Sequence, residues 1–159
     1  MSNRESGVLM HISSLPGQYG IGTFGKSAFD FVDFLVRTKQ TYWQILPLTT
    51  TSYGDSPYQS FSAVAGNLNL IDFDLLSNEG LLEKEDYERV NFGENPERID
   101  YALLSETRRP ILEKAVSNTK NNSAILAEIE QFEKENASWL SDYAEYMAIK
   151  ESFGYQSFI

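Results

Sequence analysis

Residues 7–12 (GVLMHI), 27–37 (SAFDFVDFLVR) and 42–48 (YWQILPL) decide the fold class of this chain. The first and third stretches are short, mostly apolar runs closed by turn-forming residues or by proline, which is typical of buried strands. In the middle stretch, apolar residues recur at helical spacing and charged residues share another face, which indicates an amphipathic helix. Strand, helix and strand in this order predict a βαβ unit with parallel strands and a right-handed crossover.

Parallel strands need cover on both faces, so this unit implies further strands. The chain offers one weaker candidate, residues 68–73 (LNLIDF). Glycine, proline and aromatic residues crowd the first part of the chain, whereas Glu, Lys, Leu and Ala dominate after residue 80. We therefore predict an α/β protein in which residues 1–80 hold the strands and residues 81–159 are mainly helical.

Three helices are predicted in this second part. The first helix is capped by Asp100 and runs to residue 117. The second covers residues 123–135. The third covers residues 138–153 and is terminated by Gly154. Pro110 lies inside the first of them. Because proline lacks a backbone N–H, we expect a kink or a break there.

The charge balance restricts the class of partner. The chain has 159 residues, with 13 Lys and Arg against 23 Asp and Glu, and a formal net charge of -10. Such a field repels phosphate backbones and anionic membranes, so we expect no nucleic acid and no membrane as partner. No apolar run reaches the roughly 20 residues that cross a bilayer, and residues 1–7 (MSNRESG) lack the apolar stretch of a secretion signal. These features predict a cytoplasmic protein.

Cysteine is absent and histidine occurs once. This composition excludes disulfides, thiolate zinc sites, a cysteine nucleophile and a multi-histidine metal site. The histidine, His11, falls in the first predicted strand, where we expect a buried, hydrogen-bonded side chain and not a general base. Residues 20–27 (GIGTFGKS) match the loose phosphate-loop pattern, but residues 13–19 separate them from the strand, so we interpret the match as chance.

Residues 49–65 (TTTSYGDSPYQSFSAVA) form the most unusual stretch, a polar and aromatic loop after the second predicted strand. Ligands of α/β folds bind at that end of the strands. The loop offers flat aromatic faces and hydrogen-bonding groups, the combination that holds sugars: Tyr53, Tyr58 and Phe61 with Asp55, Ser56, Gln59 and Ser60. The alternative is a surface connector in which Gly-Asp-Ser-Pro is merely a turn.

Three long stretches carry a family resemblance: RESGVLMHISSLPGQYGIGTFGKSAFDFVDFL from residue 4, YWQILPL from residue 42 and SYGDSPYQSFSAVAGNLNLIDFDLL from residue 52. They resemble the amino-terminal part of the amylomaltase family of 4-alpha-glucanotransferases. The later stretches IDYALLSETRRPILEKA and WLSDYAEYMAIKESFG resemble the next segments of that family in the same order. The resemblance therefore covers essentially the whole chain.

The resemblance implies an elaborated (β/α)8 TIM barrel that moves α-1,4-glucan segments between maltooligosaccharides or starch-like glucans. The implied chemistry is a retaining double displacement, which needs two carboxylates about 5 Å apart and no cofactor. In the family, those carboxylates come from strands downstream of this chain, so no catalytic residue is assigned here and Asp55 is not taken as the nucleophile. Residues 81–153 resemble a helical subdomain inserted after the second strand.

Site residues follow from the same resemblance. Tyr58 corresponds to the aromatic residue beside the donor glucose, and Ser56 and Asp55 shape the same pocket or its loop. Tyr53 corresponds to a more remote glucan contact. Trp43 lies in the second strand, where packing inside the barrel is the expected role.

A complete barrel takes about 250 residues, so we expect this chain to be an amino-terminal fragment without activity of its own. We also expect exposed apolar surface on its strands and first helix, and hence self-association or dependence on the missing carboxyl-terminal part of the barrel. Two alternatives stay open at this point. One is a non-catalytic glucan-binding or interaction module, and the other is a helical interaction domain for which residues 1–80 are scaffold.

Overall fold

The computed structural model describes residues 4–156, without the side chain of Tyr53. The chain divides into two compact units between Asn118 and Thr119. The first unit holds the sheet and the candidate loop. The second unit is helical.

The first unit begins with the predicted strand, helix and strand. Strand β1 is Gly7–Leu9, helix α1 is Lys26–Arg37 and strand β2 is Tyr42–Gln44. The strands pair in parallel, with Val8 opposite Trp43. The βαβ order and the parallel pairing are therefore confirmed.

The strands differ from the prediction in length and burial. They end at Leu9 and Gln44, whereas ends near residues 12 and 46 were expected. After β1 the chain turns into a short 3-10 helix, Ile12–Ser14. Leu9 and Tyr42 are each 57% exposed, so the predicted full burial is wrong. The reason is that the described residues contribute only these two strands, which cannot cover both of their own faces.

Helix α1 packs one side on the sheet and leaves the other uncovered. Ala28 and Leu35 are buried, and the Phe31 ring meets the indole of Trp43 edge-on at 4.9 Å between ring centres. Trp43 Nε1 also donates a hydrogen bond to the Met10 carbonyl at 2.7 Å. The outer apolar residues of the helix are exposed: Phe29, Val32, Phe34 and Val36. The predicted exposed apolar surface is thus present.

Residues 68–73 do not form the weaker candidate strand. They form a 3-10 helix, Leu68–Leu70, and then enter helix α2, Phe73–Asn78. The side chain of Asn67 accepts a hydrogen bond from Asn69 N, and the carboxylate of Asp72 accepts one from Leu75 N at 3.1 Å. These local caps satisfy backbone groups that a strand would have paired with a neighbour, which favours helical turns over a ladder.

An aromatic cluster forms the second core of this unit. Tyr19, Phe73, Tyr87 and Phe92 meet with ring centres 5.2 to 5.9 Å apart. Phe73 is fully buried. Tyr87, which follows the 3-10 helix Lys84–Asp86, also donates its hydroxyl to Asp74 at 2.9 Å. The cluster joins residues on both sides of residue 80, while the predicted division there between barrel and insertion stays a prediction.

Helix α3, Tyr101–Thr119, closes this cluster. Its first turn is capped by Asp100, whose carboxylate accepts from Leu103 N at 3.1 Å. Arg108 is fully buried and places its guanidinium carbon 4.2 Å from the centre of the Phe73 ring. The helix continues through Pro110 without a break, because buried residues on either side, including Leu104 and Ile111, hold both halves in one core.

The second unit contains helices α4, Ser123–Glu135, and α5, Leu140–Ser152. Helix α4 has the predicted bounds, and the side chain of Asn122 caps it by accepting from Ala124 N and Ile125 N. Helix α5 is shorter than predicted by two residues at its start and one at its end. No helix within residues 4–156 is both long and apolar enough to cross a membrane.

Candidate functional site

The carboxyl ends of β1 and β2 lie at the same edge of the sheet because the strands are parallel. The chain leaves β1 through His11 and leaves β2 through Pro47 and the long loop. Both exits line one cavity of about 110 Å³ within the first unit. The polar part of its wall includes His11, Ser13, Thr51, Asp55, Asn67 and Tyr101.

Backbone hydrogen bonds close the base of the loop. Thr49 and Gly66 form an antiparallel bridge, Thr50 N donates to Ala65 O at 3.2 Å, and Asn67 N donates to Leu48 O at 2.9 Å. Higher in the loop, Ser52 N donates to Gln59 O at 2.9 Å. Residues 49–65, for which the sequence allowed either a surface connector or a ligand loop, therefore form an ordered, hairpin-like projection from the edge of the sheet.

The Gly-Asp-Ser-Pro turn has an unusual backbone. Gly54 has φ 78° and Asp55 has φ 55°, so two successive residues adopt the left-handed region. Glycine enters this region freely, whereas aspartate does so at a cost and only where the surroundings hold it. The turn is held by Asp55 N, which donates to Ser52 O at 3.0 Å. This conformation places Asp55 and Pro57 in the wall of the cavity.

The predicted site residues fall into two groups. Asp55 lines the cavity, whereas Tyr58 stands on the outer surface of the loop with 73% of its area exposed. Ser56 is half-buried, and its hydroxyl accepts from Tyr58 N at 3.3 Å, so it shapes the turn that presents Tyr58. The backbone of Tyr53 lies in the same turn, but its side chain lies outside the described residues, so its assigned role stays a prediction.

Serine hydroxyls stiffen the return half of the loop. The Ser60 hydroxyl bonds to that of Thr50 across the loop at 3.1 Å and donates to Ser62 O at 2.6 Å. The Ser62 hydroxyl accepts from Val64 N and Ala65 N. The hydroxyl of Ser60, a candidate hydrogen-bonding group for a ligand, thus also bonds within the loop, and its contact with a ligand stays a prediction.

His11 is placed differently from its prediction. It lies beyond β1, at the start of the 3-10 helix, and its side chain lines the cavity. Its Nδ1 atom is buried and has no hydrogen-bond partner among the described residues. Burial lowers the pKa of the imidazole below its ordinary value of 6.5, which favours the neutral ring at pH 7. The prediction of a buried, hydrogen-bonded histidine is therefore wrong, because the residue is half-buried and its Nδ1 has no partner among the described residues.

Two further cavity residues were missed by sequence reasoning. Tyr101 begins α3, and burial raises the pKa of its phenol, with the negative charge of Asp55 raising it further. Asn67 caps the 3-10 helix Leu68–Leu70 and also faces the cavity. No local pattern signals either residue, because each reaches the cavity only through the packing of a later element.

The described residues contain no group of three or more His, Cys, Asp or Glu side chains that could hold a metal ion. The arrangement at the strand edge instead combines an exposed aromatic face with neutral hydrogen-bonding groups and one carboxylate. Such a surface suits a neutral, hydroxyl-rich ligand, since stacking and hydrogen bonding need no opposite charge.

Known proteins similar to this chain share one description. The sequence model of a protein family described as 4-alpha-glucanotransferase matches residues 10–159. A 4-alpha-glucanotransferase of Streptococcus pneumoniae serotype 4 is 62% identical over 153 residues, which is 96% of this chain and 30% of the relative. One from Clostridium butyricum is 53% identical over 148 residues, 93% of this chain and 30% of the relative.

The fold is also similar to a solved structure. An amylomaltase from Streptococcus agalactiae, in complex with acarbose, superposes with a TM-score of 0.93 at 61% identity. The match covers 98% of this chain and 31% of that protein. The chain thus spans about 30% of the length of the relatives that it matches.

Proposed function

Since this chain belongs to the 4-alpha-glucanotransferase family, we propose that it forms the amino-terminal part of an enzyme that transfers α-1,4-glucan segments between maltooligosaccharides. The observation that carries this proposal is the family match over residues 10–159 together with the ordered loop that presents Tyr58 at the carboxyl edge of two parallel strands. A separate glucan-binding module is not favoured, because the similar proteins are described as transferases.

The proposed architecture is the first section of a (β/α)8 barrel. Support comes from the parallel βαβ unit and from the uncovered outer face of α1. Further strands beside β1 and β2 would cover these apolar surfaces, as a closed parallel barrel requires. In this proposal the missing carboxyl-terminal part of the barrel is the partner of the exposed face.

The proposed mechanism retains configuration at the anomeric carbon. A carboxylate nucleophile forms a glycosyl-enzyme intermediate, and a second carboxyl group protonates the leaving glucan and later activates the acceptor. We assign neither role to Asp55, whose backbone and position serve the cavity wall. Residues 4–156 are proposed to bind and orient the glucan while carboxylates outside this chain perform the bond exchange.

Each predicted site residue has a proposed role in that binding. Tyr58 stacks on a glucose ring, because its exposed face is free of burial by the loop. Ser56 holds the turn beneath Tyr58, and Asp55 accepts a hydrogen bond from a glucose hydroxyl in the cavity. Tyr53 contacts glucan farther from the point of exchange. Acarbose, a glucan analogue held by the similar amylomaltase, fits this class of ligand.

Tyr58→Ala tests the loop directly. The protein for this test is the polypeptide that the source cells make, and its intact mass is measured first. We expect glucose release from maltotriose to fall about tenfold or more. A stacked aromatic ring contributes about 1 kcal/mol in addition to the free energy from the apolar area that it buries. Tyr155→Ala is the control, since Tyr155 is exposed but lies outside the loop. Unchanged transfer by Tyr58→Ala would refute the proposed role of the loop.

The isolated 159-residue chain gives a second test. We expect it to release no glucose from maltotriose, because the proposed nucleophile and acid/base residues are absent from it. Robust glucose release by this chain would contradict the proposal that carboxylates outside it perform the bond exchange. A cytoplasmic location stays a prediction from the sequence.

A further inference from the structure

His11, the single histidine of the chain, has hydrogen-bonding capacity that the fold does not use. Nδ1 is buried without a partner. Among the described residues Nε2 has no protein partner either, but it is not sealed from solvent, and the ring lines the cavity at the strand edge. Nε2 is therefore the ring atom that a molecule in the cavity can reach.

The protonation state of this ring follows from its surroundings. Burial lowers the pKa of His11, so the ring is neutral at pH 7 and carries one proton. An unpaired buried N–H is rarer in proteins than an under-used acceptor. The proton is therefore better placed on Nε2, where it can be donated, than on Nδ1, where no acceptor is in reach.

The cavity is suited to part of a sugar ring. Its polar wall consists of hydroxyl, amide and phenol groups with the carboxylate of Asp55, and none of the described residues that line it is Lys or Arg. A phosphate or carboxylate ligand would find no cation there, whereas sugar hydroxyls both donate and accept. The volume of about 110 Å³ is below the roughly 300 Å³ of pockets that enclose a drug-sized ligand, so the cavity admits one edge of a glucose unit.

We infer that His11 is a substrate-binding residue whose Nε2–H donates a hydrogen bond to a hydroxyl of a glucose unit that enters this cavity. The inference rests on the proposed function and adds a residue from the turn after β1 to binding residues that otherwise lie in the loop after β2. Asp55 and Tyr101 line the same cavity and provide an acceptor and a phenol for neighbouring hydroxyls. His11 takes no part in bond exchange, and its contribution is to hold the sugar.

A pair of amide variants tests the inference. In His11→Gln, the longer side chain places an amide near the position of Nε2. In His11→Asn, the same amide reaches only the position of Nδ1. Both variants are made in the polypeptide that the source cells produce, with maltotriose as substrate. We expect His11→Asn to lower kcat/KM about tenfold, and we expect the kcat/KM of His11→Gln to stay within about threefold of the parent value. Both variants should keep the thermal midpoint of the parent to within a few degrees.

Three outcomes would overturn the inference. If His11→Asn transfers as fast as the parent, Nε2 does not touch the sugar. If both variants lose activity equally and both melt at lower temperature, the histidine is structural. If the parent protein itself transfers nothing from maltotriose, the proposed function fails and the inference fails with it, which distinguishes that case from the first two.

Discussion

The aromatic cluster and the outer face of α1 are both rich in phenylalanine, yet their burial is opposite. Phe73, at the centre of the cluster, is 0% exposed, whereas Phe29 on α1 is 64% exposed. The cluster is sealed by α2, α3 and the loop that carries Tyr19. Within residues 4–118, the described part of the first unit, nothing covers the outer face of α1. The first region is complete within this chain, and the second has the composition of a surface that needs a covering element.

The difference in burial arises because helix α1 has apolar residues on two sides. A surface helix normally has one apolar stripe, but α1 has apolar residues both where it meets Trp43 and on the opposite side, at Phe29 and Val36. Helices that are apolar on two sides are normally buried on both. The contrast therefore separates a region whose apolar residues are covered within this chain from one whose apolar residues are not.

The largest effect is expected from truncating the buried aromatic residue. Phe73→Ala should lower the free energy of unfolding by about 4 kcal/mol, because it removes a fully buried ring and leaves a cavity. The matched Phe29→Ala should change it by less than about 0.5 kcal/mol. Urea denaturation of the two variants measures both values. Equal losses would show that the two regions do not differ in the way described.

A smaller loss is expected from the buried cation. Arg108 donates to the Tyr19 carbonyl at 3.2 Å and to the Ile71 carbonyl at 2.5 Å, so it links the loop that carries Tyr19 to the segment just before α2. Burial lowers the pKa of its guanidinium to about 10, which still leaves it charged at pH 7.

Arg108→Met should therefore cost about 3 kcal/mol of unfolding free energy, since two carbonyls lose a charged donor in the core. Arg98→Met, at an exposed site, is the control and should cost a few tenths. The measurement is the same urea titration. A loss below 1 kcal/mol for Arg108→Met would mean that the cluster holds without this cross-link.

The exposed face predicts association. We expect the 159-residue chain to self-associate and to bind an apolar-surface dye, because α1 and the strands leave a contiguous apolar area open. The double change Phe29→Lys with Val36→Lys should raise the dissociation constant about tenfold, equivalent to about 1.4 kcal/mol. Sedimentation at several concentrations measures the constant. If the parent chain is monomeric and binds no dye, the outer face of α1 is not an exposed apolar surface, and its contrast with the aromatic cluster fails.

The smallest effect concerns an ion pair at the edge of the aromatic cluster. Lys114 Nζ lies 2.5 Å from Asp86 Oδ1, and Glu83 N donates to Asp86 Oδ2 at 3.0 Å. The hydrogen bond from Lys114, followed by the one from Glu83, lowers the pKa of Asp86 below its ordinary value of 3.8. The stabilisation is therefore complete above pH 3.8 and is lost as the pH falls through the lower, folded value.

Asp86→Asn should accordingly cost less than about 1 kcal/mol at pH 7, because the pair is partly exposed to solvent. The cost should shrink as the pH is lowered below 3.8. Glu85→Gln, at an exposed position, is the control and should cost a few tenths of a kcal/mol at pH 7. Unfolding measured across this pH range compares the two variants. A cost that is independent of pH would assign the effect to packing instead of charge.

Local sequence patterns predicted the helices well and the strands poorly. Helix α1 begins one residue before its predicted start and α4 has its predicted bounds, because capping and apolar spacing are local. The strands stop early, and residues 68–73 are helical, because strand formation depends on a neighbour that a local run does not reveal. His11 was misplaced for the same reason: its burial depends on what lies across the turn.

The family, the strand-helix-strand order and the loop that carries Tyr58 can all be predicted from the amino-acid sequence. Long motifs and short-range periodicity carry this information, and both can be read along the chain. That His11, Asp55 and Tyr101 share one cavity is visible only in the folded chain. Parallel pairing brings the ends of β1 and β2 to one edge, and the packing of Arg108 on Phe73 holds α3 in the core of the same unit. Contacts between residues so far apart in the chain arise from packing, for which a single sequence has no local signal.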